Sequence, residues 1–150
     1  DVSDAPPQTQ FGPEKIEAEL KRWKLDILPG DTVLFYTGHY ERYYGKPEYS
    51  THQPGLTREA TEFIINKGAV NFGVDNTSPD MWLDKTYPCH TVCRDRRVTH
   101  MENLCNLDQL VGKRFTFIAL PLRIRKGTGS PIRAVAIVYD DEGIDWDISS

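Results

Sequence analysis

Two short apolar segments on either side of an amphipathic helix constrain the fold of this chain more than any other feature. Residues Thr32–Thr37 and Ala69–Val74 are rich in β-branched and aromatic side chains and have the length of buried strands. Between them, Thr57 can cap a helix over Arg58–Lys67, and Gly68 can end that helix. A strand, a helix and a second strand in this order predict layered α/β packing.

The rest of the chain alternates between periodic and turn-rich segments. Pro13 suits a first helical position, and apolar side chains at Ile16, Leu20 and Trp23 predict a helix with one buried face. The further predicted elements are the loop His39–Gln53, a short helix His90–Arg97, an extended segment Val98–Leu104, a helical turn Asn106–Leu110, and the strands Arg114–Leu122 and Ile132–Tyr139.

Both ends of the chain differ from the middle. Residues 1–11 are polar, with Pro6 and Pro7, and predict an extended arm. Residues 140–150 form an acidic tail that we expect to be loose, apart from docking by Trp146. The chain begins at Asp1 without Met, which is consistent with a trimmed or partial product.

Composition excludes several classes of protein. The 150 residues carry a formal charge of −4, which argues against coating of nucleic acid or binding to a membrane through a basic surface. The apolar runs at 115–122 and 134–139 are shorter than the roughly 20 residues that span a bilayer. With 39% hydrophobic residues and no signal peptide, we expect a soluble, cytoplasmic protein with a packed core.

The cysteines Cys89, Cys93 and Cys105 are odd in number, and two of them are close in sequence. This pattern argues against a disulfide framework and favours a reducing compartment. Although His90 lies between two of them, a structural zinc site takes four ligands grouped as pairs, and the second pair is missing.

His90 and Glu102 lie twelve positions apart, one at the start of a presumed helix and one on the extended segment after it. From spacing alone we interpret them as surface residues, with a divalent-metal pair as the alternative. In a strand, His100 would share a face with Glu102. We interpret His100 as an exposed strand residue, and a third polar group at the site is the alternative.

The turn-rich stretch after the second strand contains Asp75, Ser78 and Asp80. Residues of these types form turns and caps without any chemistry, which is the interpretation that we favour. The alternative is that a carboxylate held at the end of a strand orients a ligand or a functional loop.

Two loops offer further candidates for substrate contact. Thr128 lies in the Gly-x-Gly segment Lys126–Pro131, which can present backbone N–H groups to an anion but is more often only a turn between strands. His39 lies in an aromatic segment between Tyr36 and Tyr44 and could line a pocket.

Several blocks, taken together, resemble the cyclase family of metal-dependent hydrolases, which includes bacterial kynurenine formamidase and isatin hydrolase. Their order and spacing are maintained over nearly all of Gly12–Val138. The matching blocks are Pro29–Leu34 with Thr37-Gly38, His52–Leu56, Gly73–Asp75 with Ser78 and Asp80, His90, Glu102–Leu104 with Asn106-Leu107, Ile118–Leu122, and Gly127–Ala134.

The resemblance implies a swivelling β/β/α cyclase-like fold of the α/β or α+β class. It implies that His90 and Glu102 are ligands of a divalent metal, zinc or manganese. Such a metal lowers the pKa of a bound water toward ~7 and polarises a carbonyl group. We assign supporting or substrate-contacting roles to Asp75, Ser78, Asp80, Thr128 and His39.

The family's principal metal motif, His-x-Gly-Thr-His-x-Asp, and a further catalytic His do not occur in this sequence. By resemblance, residues 1–150 are the C-terminal portion of a single hydrolase domain whose catalytic residues lie upstream of Asp1. We therefore expect part of a hydrolase that cleaves the C–N or C–O bond of a small cyclic or N-acyl amide or lactone with metal-activated water. The alternative is a non-catalytic subunit or assembly domain without the full metal centre. We expect a homo-oligomer, or a complementary chain that carries the missing motif.

Overall fold

The computed structural model describes residues 1–139 as two compact units that divide after Gly112. The first unit contains short strands, helices and two 3₁₀ segments, and the second contains a hairpin. In chain order the elements are β1 (Gln10–Phe11), α1 (Pro13–Trp23), β2 (Thr32–Phe35), α2 (His39–Tyr43), a 3₁₀ helix (Pro47–Ser50), β3 (Gly55–Leu56), α3 (Arg58–Asn66), β4 (Asn71–Val74), α4 (Pro88–Arg96), β5 (Thr99–Met101), a 3₁₀ helix (Leu107–Leu110), β6 (Thr116–Pro121) and β7 (Ile132–Ile137). The mixed helix and strand content confirms the predicted α/β class.

A three-stranded parallel sheet in the order β2-β4-β5 is the centre of the first unit. Parallel neighbours need crossover connections, and α3 and α4 lie in the segments that join β2 to β4 and β4 to β5. Because the strands are parallel, their carboxyl ends lie at one edge of the sheet. The segments that begin at Tyr36, Asp75 and Glu102 therefore start from the same edge.

The helix α3 begins and ends close to where its sequence predicts. Thr57 Oγ1 accepts a hydrogen bond from the backbone N–H of Ala60 at 3.1 Å, as expected of an N-cap. The chain leaves the helix through Gly68, whose φ of +112° and close approach to Pro29 exclude a side chain. The inward positions Ala60 and Ile64 are fully buried.

An aromatic cluster fills the core between the sheet and the amino-terminal segment. The rings of Phe11 and Phe35 are 5.7 Å apart, and Phe72 meets Phe35 edge-on at 6.5 Å. Such tilted and edge-on pairs are the favoured aromatic geometries. Leu56 and Ile64 complete this core without solvent exposure.

The amino-terminal segment 1–11 belongs to the first unit and is extended only in part, because turns lie at Ser3-Asp4 and Pro7-Gln8. Gln10–Phe11 forms a parallel pair with Gly55–Leu56. At the start of the chain, the Val2 backbone N–H donates to the Tyr36 carbonyl at 2.8 Å, and the Val2 side chain is buried. Burial of Val2 and Phe11 explains why this segment stays on the unit.

The prediction of a loop over residues 39–53 is partly wrong, because α2 and the first 3₁₀ helix lie within it. Stacked rings stabilise these turns: Tyr40 packs on Tyr44 at 4.5 Å and His39 on Tyr49 at 5.2 Å. The segment is too short for aromatic residues four positions apart, such as Tyr40 and Tyr44, to predict a helix from sequence periodicity.

The described part of the second unit, residues 113–139, contains a hairpin of two strands, as predicted, which are antiparallel and slightly shorter than predicted. Thr116 pairs with Ile137 at one end of the ladder, and Pro121 pairs with Ile132 at the other. In the connection, Ser130 Oγ accepts a hydrogen bond from the Leu122 backbone N–H at 2.8 Å. The predicted acidic tail 140–150 and its Trp146 lie outside the described residues. None of the helices described within residues 1–139 combines the length and apolarity that a bilayer span requires.

Candidate metal centre

Glu102 is held rigidly at the carboxyl end of the sheet. It directly follows β5, and two backbone hydrogen bonds restrain the chain just after it: Asn103 N–H donates to the Asn76 carbonyl at 2.8 Å, and Leu104 N–H donates to the Val74 carbonyl at 3.1 Å. These bonds extend the pairing of the two segments beyond β4 and β5. The Glu102 carboxylate therefore projects from a restrained backbone.

His90 reaches Glu102 from the first turn of α4. Its Nε2 lies 3.8 Å from Glu102 Oε1, although the two residues are twelve positions apart in sequence. The structure thus brings together the two residues that the family resemblance implies as metal ligands. The His90 side chain is 45% exposed, so this position is open to solvent.

Asp80 fixes the orientation of the His90 ring. Its Oδ2 lies 2.5 Å from His90 Nδ1, and its Oδ1 accepts the Cys89 backbone N–H at 2.7 Å. A buried carboxylate that accepts from Nδ1–H leaves Nε2 with its lone pair directed at Glu102. A carboxylate–histidine pair of this kind is the common support for a histidine that binds a metal.

His100 is the residue that the sequence interpretation placed wrongly. The sequence predicted an exposed side chain, but the His100 side chain is only 16% exposed, and its Nε2 lies 3.2 Å from Glu102 Oε1. The ring stacks on Phe72 at 5.7 Å and meets the His90 ring edge-on at 4.6 Å. The sequence signal for this contact was that His100 lies two residues before Glu102 in a predicted extended segment. The pattern did not indicate that side chains of α4 would cover His100.

The electrostatics of His100 reflect its two polar neighbours. Burial lowers the pKa of the imidazole, but its hydrogen bonds to Cys93 and Glu102 raise the pKa by more than burial lowers it, so that the pKa is about 9. Without a bound cation, the protonated His100 ring therefore donates a hydrogen bond to the Glu102 carboxylate.

Asp75 and Ser78 both accept hydrogen bonds from backbone N–H groups. Asp75 Oδ1 accepts from the Thr37 backbone N–H at 2.9 Å and from the Thr37 hydroxyl at 2.6 Å, while Oδ2 accepts from the His39 N–H at 3.0 Å. Ser78 Oγ accepts the Asp80 N–H at 3.2 Å. Ser78 therefore fits the favoured turn-forming interpretation. Asp75 instead holds the segment after β2, as in the alternative of a carboxylate that orients a loop, and Asp80 contacts the candidate ligand His90.

The remaining two candidates, His39 and Thr128, differ in their exposure to solvent. His39 is 1% exposed, its Nε2 lies 2.8 Å from the Tyr49 carbonyl, and burial lowers its pKa. The ring is thus neutral, donates to Tyr49 and packs in the core rather than lining an open pocket. Thr128 is exposed in the connection between β6 and β7. Substrate contact by either residue stays a prediction.

The donor set fits a divalent cation of the zinc class. His90, His100 and Glu102 each offer one ligand atom, and these atoms lie within 4.8 Å of one another. Two imidazole nitrogens and one carboxylate oxygen suit borderline cations such as Zn²⁺. The cysteines Cys89, Cys93 and Cys105 are free, so no disulfide among them restrains this region.

Comparison with known proteins gives a consistent family relationship. The family model described as "Putative cyclase" matches residues 1–81. Isatin hydrolase of Roseibium aggregatum is 31% identical over 132 residues, which cover 79% of this chain and 50% of that protein. Kynurenine formamidase of Bacillus mycoides is 35% identical over 144 residues, covering 89% of this chain and 66% of that protein. The chain thus spans from half to about two thirds of the length of these relatives.

Solved structures have the same fold as the described chain. A crystal structure of an isatin hydrolase bound to the product analogue thioisatinate superposes with a TM-score of 0.79 at 30% identity, covering 92% of this chain and 56% of that one. A cyclase crystal structure at 24% identity gives a TM-score of 0.78, covers 88% of this chain and 47% of that one, and supports the fold alone. The predicted cyclase-like fold is therefore confirmed.

Proposed function

Because this chain belongs to the cyclase family whose model matches its residues 1–81, we propose that it forms part of a metal-dependent hydrolase. The proposed reaction is cleavage of the C–N bond of a small cyclic or N-acyl amide, or of the C–O bond of a lactone. Hydrolases of this kind, isatin hydrolase and kynurenine formamidase, are among the relatives of the chain. The observation that carries the proposal is the convergence of His90 and Glu102 beside the buried Asp80.

The chemistry divides between the cation and the protein. A bound divalent cation would polarise a carbonyl group and make a water molecule more acidic. His90 and Glu102 would hold it, with one nitrogen donor and one oxygen donor. Asp80 keeps the proton of His90 on Nδ1 and so leaves Nε2 free to bind. The partial exposure of His90 leaves room for a small substrate to approach.

Zinc is the cation that we propose first, with manganese as the alternative. Imidazole ligands favour zinc, whereas manganese prefers sites dominated by oxygen. The identity of the cation is testable by metal analysis of protein purified without added metal. An excess of manganese over zinc in that analysis would reverse the order.

The test of the proposed function combines metal content with activity. His90→Ala and Glu102→Ala should each lose bound metal and, in the intact natural protein, hydrolysis of a panel of small amides and lactones. His52→Ala and Glu17→Ala, which change the same residue types outside the cluster, should keep both. Full activity and metal content in the first two variants would contradict the proposal. A protein that binds no metal and hydrolyses none of the panel would favour a non-catalytic subunit or assembly domain.

We also propose that the chain associates with a second copy or with a chain that carries the upstream metal motif. Several large apolar side chains of the hairpin are exposed, among them Leu120 and Leu122. Large exposed apolar surfaces are typical of interaction sites. Analytical ultracentrifugation tests this proposal, and a monomer across micromolar concentrations would contradict self-association.

A further inference from the structure

We propose that His100 is a third protein ligand, so that this chain contributes a His–His–Glu donor set to the cation site. The inference rests on the proposed function, because it concerns the same centre. It goes beyond the family resemblance, which implies His90 and Glu102 as ligands in this chain. Three protein ligands of the types His, His and Glu, with a further position open, form a donor set found in catalytic zinc sites.

The first observation that supports a third ligand is the spacing of the donor atoms. Ligand atoms about 2.0–2.1 Å from one zinc ion and arranged tetrahedrally lie about 3.3 Å from each other. Glu102 Oε1 is 3.2 Å from His100 Nε2 and 3.8 Å from His90 Nε2. All three donor atoms lie within 4.8 Å of one another. Small rotations of the side chains would therefore suffice for a common ion.

The second observation is that neighbouring side chains restrain the rings of His90 and His100. Asp80 contacts His90 at Nδ1, so the nitrogen that remains is the one nearest Glu102. The His100 ring is stacked on Phe72 and contacts Cys93, and its Nε2 also faces Glu102. Two independently supported imidazoles thus direct the same type of nitrogen at one carboxylate oxygen. A site whose ligands are held before binding loses less conformational entropy when the ion enters.

A distance of 3.2 Å between His100 and Glu102 also suits a hydrogen bond, in which case His100 would only position the carboxylate. The two roles differ in whether a bond forms between the ion and the His100 nitrogen. A measurement of direct coordination separates them, whereas loss of activity in a variant would not.

The decisive experiment uses the 150-residue chain with ¹⁵N-labelled histidine and ¹¹³Cd²⁺ as the probe. Scalar coupling between ¹¹³Cd and ¹⁵N is expected for His90 and His100, and not for His39 and His52. Coupling to His90 without coupling to His100 would overturn the inference and leave the proposed function in place. Coupling to neither residue would overturn both.

A variant series gives a second readout. His100→Gln keeps an amide that can hydrogen-bond to Glu102 but removes the imidazole ligand, and zinc affinity measured by competition with a chelator should fall by about tenfold or more. His52→Gln, a histidine outside the cluster, should bind zinc as the unmodified chain does. Unchanged affinity in a folded His100→Gln variant would overturn the inference. If this variant does not fold, the ¹¹³Cd experiment on the unmodified chain decides the question.

Discussion

A single buried carboxylate, that of Asp80, links the turn after β4 to the orientation of His90. Burying an ionised carboxylate is costly unless hydrogen bonds replace its water. Asp80 is 2% exposed, and it receives the backbone N–H of Cys89 at 2.7 Å in addition to the His90 ring. Its negative charge also lies at the amino terminus of α4, where the helix dipole favours it. The same side chain therefore stabilises the helix and positions the ring.

Asp80→Asn should weaken zinc binding by about 10- to 100-fold, the usual effect of removing a carboxylate behind a metal-binding histidine. The amide keeps an oxygen that can accept from Cys89 N–H, so the fold should survive. Zinc affinity by competition with a chelator and circular dichroism check the two expectations. Asp95→Asn, an exposed change on the same helix, is the matched control. Equal affinities for the Asp80 and Asp95 variants would contradict the positioning role.

His39 predicts a pH dependence of stability. Burial lowers the pKa of His39 below the ordinary value of 6.5 that applies in the unfolded chain. Its contribution is therefore fully present above pH 6.5 and is lost as the pH falls through 6.5 toward the lower folded-state pKa. The urea midpoint of the unmodified chain should therefore fall relative to that of His39→Phe as the pH is lowered from 7.5 to 5. His39→Phe can keep the ring contacts with Tyr43 and Tyr49, and an identical pH dependence of the two chains would contradict this source.

Among the elements, the boundaries of α3 were the most predictable. Thr57 and Gly68 act through their own backbone and their nearest neighbours, so the sequence indicates both ends. The segment after β2 was less predictable, because α2 is stabilised by contacts such as that of His39 with Tyr49, ten residues away. Local patterns detect caps and long periodic helices better than short helices that depend on such packing.

Thr57→Ala should lower the free energy of unfolding by about 1 kcal/mol, because Thr57 Oγ1 caps α3 through the Ala60 N–H. Thr57→Ser keeps the hydroxyl and should recover most of this loss. Urea denaturation of both variants at pH 7 checks the prediction. Equal losses in the Ala and Ser variants would assign the effect to the methyl group rather than to the cap.

On the scale of the whole molecule, the proposed metal centre connects parts of the first unit that are distant in sequence. It joins the loop after β4, the start of α4 and the end of β5, which bring Asp80, His90 and Glu102 together. An ion bound to this centre would bind only the folded state, where these segments are assembled. Metal binding and folding stability are consequently linked.

Zinc should therefore stabilise the chain measurably. At a free zinc concentration about 100-fold above Kd, the expected gain is about 2.7 kcal/mol, or roughly 5–10 °C in Tm for a chain of this size. Differential scanning calorimetry with zinc and then with a chelator checks the expected rise and its reversal. Glu102→Gln should remove most of the shift, while Glu17→Gln should retain it. A zinc-dependent rise of equal size in both variants would place the ion elsewhere.

By itself, the sequence determined the α/β class, the positions of most helices and strands, the cap at Thr57 and the spacing of His100 and Glu102 along one extended segment. These features depend on residues near each other in the chain, whose propensities and spacing are visible in one dimension. Only the tertiary structure decided that Asp80 supports His90 and that α4 covers His100 rather than leaving it exposed. The physical reason is that this convergence depends on contacts of α4 with His100 and with Asp80 in the loop after β4, and no local pattern specifies contacts between such separate segments.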